Sequence, residues 1–102
     1  MAIDLFCYTS HGKDDVERII NRLSTENSSL FSEKFIASKV RETTEMHREM
    51  ATEYGLTARS MFLISVNDKG SANRVSEVAT IVRNGMGQDR VVILLENEKL
   101  VP

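Results

Sequence analysis

The chain has 102 residues, 41% of them hydrophobic and 27% charged, which fits one globular domain and is too short for two. A formal net charge of −2 gives no general attraction to nucleic acid or anionic membranes, and one cysteine, Cys7, excludes an internal disulfide framework. Asp4 stands where a secretory leader would be basic and no apolar run reaches membrane-spanning length, so a cytoplasmic protein is expected.

Ile3 to Thr9 reads as a strand, with Ile3, Leu5 and Cys7 on one face and Phe6 and Tyr8 on the other. Apolar residues on both faces suit a strand covered from both sides. Ser10-His11-Gly12 is a turn, with Ser10 or Gly12 as helix cap. The helix that follows places Val16, Ile19, Ile20 and Leu23 on one stripe. Ser24 to Ser29 is a polar run that reads as a loop.

Residues 34–40 admit two readings. Phe35-Ile36-Ala37 with polar Ser38 and Lys39 fits a short edge strand, whereas one long helix from Glu33 to Tyr54 is the competitor. The strand is preferred, because Thr43 or Thr44 offers a cap for a separate helix over Glu45 to Tyr54. That helix is expected to bury Met46, Met50, Ala51 and Tyr54, with His47 beside them and Gly55 as its left-handed terminator.

Ser60 to Val66 is a continuous apolar strand, Asn67 to Gly70 a turn, and Ser71 the cap of a third helix lined by Val75, Val78, Ala79, Val82 and Met86. Gly85 and Gly87 end that helix, and Arg90 to Leu95 is the last long strand. Its apolar edge needs cover, from the tail Lys99-Leu100-Val101 or from a second copy in a homodimer. Strand alternating with helix predicts a small three-layer α/β sandwich. Its mainly parallel four-stranded sheet would run βαβαβαβ in the order 2-1-3-4, with helices on both faces.

A parallel sheet of that order would gather Ser10, His11 and Lys13 with Asn67 and Asp68 in a crevice beyond strands one and three. There His11 with Asp68 offers a base and an orienting carboxylate. Phosphate binding is opposed by Asp14 and Asp15 in the first helical turn and by the lack of a glycine-rich loop. His11 and His47 have no metal-ligand spacing with a second soft ligand, so neither metal nor cofactor is expected. Tyr8 to Gly12 resembles the approach to the glutaredoxin active site, but Lys13, Asp14 and Asp15 stand where cysteines would be needed. A redox-dead thioredoxin-like domain is therefore an alternative, with Cys7 a small core residue.

The most distinctive surface feature is acidic. Glu42, Glu45, Glu49 and Glu53 recur at helical spacing and form one ridge if the helix begins early enough. Such a ridge is either a solvated face or an electrostatic surface for a basic partner. In size, charge and α/β architecture the chain resembles the immunity proteins of bacterial contact-dependent growth inhibition systems. That resemblance implies a protein without catalytic activity that binds one toxin domain in the cytoplasm. The toxins are commonly nucleases, often directed at tRNA, whose positively charged sites the four glutamates would occupy. The expected partner is thus a basic toxin domain rather than nucleic acid or membrane.

Overall fold

The computed structural model describes residues 3–31, 35–66, 74–96 and 99–101. In chain order these form β1 (Ile3–Thr9), α1 (Lys13–Glu26), α2 (Ser28–Phe31), β2 (Phe35–Ala37), β3 (Arg41–Glu42) and α3 (Glu45–Thr52). Then come β4 (Ser60–Val66), α4 (Val75–Met86), a 3-10 turn (Gln88–Arg90), β5 (Val91–Leu95) and β6 (Lys99–Leu100). The sheet runs β2-β4-β1-β5-β6, with β3 also against β4. Every neighbouring pair is antiparallel.

The expected parallel sheet in the order 2-1-3-4 is therefore replaced by an antiparallel one. β1 and β4 pair along their whole length, Ile3 opposite Val66 and Thr9 opposite Ser60, while β5 flanks β1 on its other side. Both strand–helix–strand units exist, but each is split by a strand of the other. β4 lies between β1 and β2, and β1 lies between β4 and β5. This interleaving is the split βαβ arrangement of ferredoxin-like sheets. A helical crossover makes the two strands it joins point the same way, but says nothing about whether they are neighbours. The apolar runs of β4 and β5 reflect cover on both faces, which an antiparallel sheet with helices on each side demands equally.

One face carries α1 and α4. Leu5, Cys7, Phe35, Phe62, Ile64 and Ile93 pack there against Val16, Ile20, Val78 and Val82. The two helices come close at Gly85, where a Cβ would stand 2.9 Å from Leu23 Cδ1. The other face carries α3 and the segment after it, with Tyr8, Met61, Val92 and Leu94 against Ala51, Leu56 and Ala58. Helices thus lie on both faces of this antiparallel sheet and not of the parallel sandwich that was expected.

The polar run after Leu23 is not a loop, because α1 continues to Glu26. Asn27 closes it, its backbone N–H and Nδ2 both donating to Leu23 O at 2.9 and 3.0 Å. Residues 35–42 form an interrupted edge strand rather than a helix. Ala37 pairs with Ile64 and Arg41 with Met61, so three residues on the edge face two on β4. At this bulge Ser38 N–H donates to Leu63 O at 2.7 Å, while its hydroxyl accepts from Leu63 N–H at 2.9 Å. The extra residue shifts the inward positions from Phe35 and Ala37 to Val40. At the opposite edge the tail folds back as β6, pairing Leu100 with Leu94 and Lys99 with Leu95. The predicted turn at 67–70 and the cap at Ser71 lie outside the described residues.

Candidate partner-binding surface

Helix α3 carries the expected acidic residues, and its orientation is set locally. Thr44 caps it: its hydroxyl accepts from His47 N–H, and His47 Nδ1 accepts from Thr44 N–H, each at 3.3 Å. Beyond its last turn Gly55 adopts φ 79°, and Leu56 N–H returns to Ala51 O at 3.1 Å. The face against the sheet is narrow. Ala51 is fully buried, His47 and Met50 are half-buried, and all three lie over Tyr8 and its neighbours. The Tyr8 and His47 rings stand 5.8 Å apart, and Tyr8 O–H donates to Met50 Sδ at 3.6 Å.

This orientation corrects the expected buried stripe. Met46 is 74% exposed and Tyr54 39% exposed. Two turns of helix bury a single strip, and the His47, Met50, Ala51 spacing fixes it. Met46 lies about a hundred degrees from His47 and about forty degrees beyond Met50, outside that strip. It stands instead beside the glutamates.

Glu45 and Glu49, one turn apart, are exposed and with Arg48 and Thr52 line a shallow hollow of about 440 Å³. Glu53 is the exposed C-cap. Glu42 does not join the helical ridge, because α3 begins at Glu45 and Glu42 lies in β3. It lines a neighbouring cleft with Lys13, Arg48 and Arg59. The acidic charges suit the helix only at its start. Glu45 complements the positive N-terminal end of the dipole, whereas Glu49 and Glu53 approach the negative end with no basic residue in the last turn.

The parallel sheet from which the alternative crevice was expected is replaced by an antiparallel one. Ser10, His11 and Lys13 follow β1 at one end of the sheet, whereas the chain leaves β4 at Val66, paired with Ile3 at the other. Six residue steps separate those ends, about 20 Å. Asn67 and Asp68 lie outside the described residues. His11 is used structurally: its Nε2 is 2.7 Å from Met86 O, its N–H donates to Thr9 Oγ1, and Ser60 Oγ donates to its carbonyl. Burial pushes the Cys7 thiol up, which makes it an inert core group rather than a nucleophile. Among the described residues no cluster of three or more His, Cys, Asp or Glu could hold a metal ion. Nor is any helix among them long and apolar enough to cross a membrane.

Two features gave no signal in the sequence. The cations of the cleft are drawn from positions 13, 48 and 59, so no basic run announces them. A hollow of about 540 Å³ lies between the Tyr54-Gly55-Leu56 turn and β5 with the tail, and it exposes Tyr54 and Leu100.

Comparison with known proteins gives a consistent result. The chain is 42% identical over 98 residues to immunity protein CdiI-2 of Burkholderia pseudomallei (strain 1026b), covering 96% of this chain and 97% of that protein. Its fold superposes with a TM-score of 0.95 on a chain of the CdiA-CT/CdiI toxin and immunity complex from Burkholderia pseudomallei. That match has 39% sequence identity and covers 98% of this chain and 97% of the other. The profile of the family described as CDI System Immunity Component matches residues 1–99. With the family profile spanning nearly every residue and a relative alike from end to end, this chain belongs to the family of CDI system immunity components, which act by binding toxins and not as enzymes.

Proposed function

We propose that this chain binds, in the cytoplasm, the toxin domain of a contact-dependent growth inhibition system and covers the surface with which that toxin acts. The observation that carries this reading is end-to-end likeness, in fold and sequence, to a chain of a solved toxin and immunity complex. Blocking a toxin requires a complementary surface and no reactive group. Helix α3 offers such a surface, with Glu45, Glu49 and Glu53 on its exposed side and Glu42 on the adjoining strand. Exposed Met46 supplies an apolar anchor within it.

The partner is read as a basic nuclease domain, with tRNA as its target. An enzyme that grips a phosphate backbone presents Lys and Arg side chains to it. A row of carboxylates on a rigid helix meets those cations where phosphates would lie. The test is calorimetric titration of the cognate toxin domain with the unaltered protein and with a Glu45→Lys, Glu49→Lys variant. Reversal should weaken binding at least ~10-fold, and the unaltered affinity should fall as salt rises. An unchanged Kd removes α3 from the interface. A toxin domain that leaves tRNA intact when freed of this protein removes the tRNA-directed part of the reading.

A further inference from the structure

Next to the acidic face lies a hollow of opposite sign. It encloses about 350 Å³ between the start of α1, β3, α3 and the segment before β4. Lys13, Arg48 and Arg59 line it against a single carboxylate, Glu42. None of the three cations is in an ion pair with a described residue. Among the described residues the ion pairs join Arg18 to Asp15, Arg22 to Glu26 and Arg74 to Glu77. Arg48 Nη1 donates to Thr43 O at 3.1 Å, which orients its guanidinium without neutralising it. Arg59 lies over Gly12, where a Cβ would stand 3.7 Å from its Nη2. Asp14 and Asp15 do not line the cleft, and Asp15 is taken by Arg18 beside a different hollow.

Arg48 belongs to both hollows, the acidic one on the solvent side of α3 and this cationic one. A partner lying across α3 therefore covers both at once. We infer that the cleft receives a carboxylate side chain of the toxin domain, an inference that rests on the toxin-binding reading above. The interface is then read by two charges of opposite sign, a basic patch on α3 and an acidic side chain beside it. Unneutralised cations gathered in one cleft repel each other, and a planar guanidinium takes a carboxylate through two parallel hydrogen bonds. The arrangement also supplies selectivity. An acidic helix alone would attract any basic protein of the cell, whereas the cationic cleft repels one that lacks an acidic group at that position.

The experiment measures the Kd of the cognate toxin domain for the unaltered protein and for Arg59→Glu, Arg59→Lys and Lys13→Glu variants, with circular dichroism to show that each is folded. Arg59→Glu should weaken binding ~10-fold or more, while Lys13→Glu and Arg59→Lys, which keeps the charge but loses the paired hydrogen bonds, should weaken it less. A scan of Asp→Lys and Glu→Lys substitutions over the toxin surface should then yield one change that restores binding to Arg59→Glu and not to the unaltered protein. Binding within ~2-fold of the unaltered value for folded Arg59→Glu and Lys13→Glu overturns this inference and leaves the α3 reading standing. Failure of the unaltered protein to bind the toxin overturns both.

Discussion

Cys7 and Tyr8 are neighbours in β1 and face opposite sides of the sheet, and each defines what its side does. Tyr8 ties the sheet to α3 through Met50 and the His47 ring, so the helix bearing the glutamates is seated on a rigid support. Cys7 is wholly enclosed among the core residues under α1 and α4, and burial raises its thiol above the ordinary value of 9.0. The sign of the resulting pH dependence follows. Below pH ~9 the thiol is protonated in both states, and its contribution is fully present. Above it the unfolded chain releases the proton while the folded one holds it, so stability declines by up to ~1.4 kcal/mol per pH unit. Urea unfolding between pH 8 and pH 10 should show this decline, and a Cys7→Ala variant should show a shallower one. Equal slopes would mean that the thiol ionises as readily in the folded protein as in the unfolded one.

At the scale of elements, α3 is placed at some cost to itself. Its like charges at Glu45 and Glu49, one turn apart, cost ~0.2–0.5 kcal/mol, and Glu53 faces the negative end of the helix dipole. Charges that oppose a helix's own stability are retained where binding uses them. Replacing Glu49 and Glu53 by Gln should therefore raise the thermal midpoint slightly, by ~2 °C, while weakening toxin binding. A variant that loses stability, or one that binds as tightly as before, would contradict that trade. The existence and extent of most elements were legible, because periodicity and caps are local. The Val16, Ile20, Leu23 stripe, the Thr44 cap and the Gly55 terminator all appear where the residues indicate. The rotation of α3 was not legible. Eight residues containing two methionines and an alanine allow more than one buried strip, and the sheet decides between them through Tyr8 and Met61. Glu42 stays off the ridge for a local reason: Thr44 caps the start of the helix two residues after it.

At the scale of the molecule, the order of strands was hidden because helical crossovers leave the spacing of the joined strands open. Splitting each βαβ unit with a strand of the other turned an expected parallel sheet into an antiparallel one, and it set Thr9, where β1 ends, and Val66, where β4 ends, at opposite ends of the sheet. That change removed the parallel sheet from which a crevice around His11 was expected. The exposed side of α3 carries Glu45 and Glu49, with the cationic cleft at its flank. Only the three-dimensional arrangement brings Lys13, Arg48 and Arg59 together. The account thus rests on one claim, that the toxin domain docks across α3. Hydrogen exchange of the protein alone and with its cognate toxin domain tests it most directly. Slowed exchange is predicted in peptides covering residues 42–59 and in the first turn of α1, with little change in the tail strand β6. Protection confined to β5 and β6, with α3 exchanging as in the free protein, would contradict it.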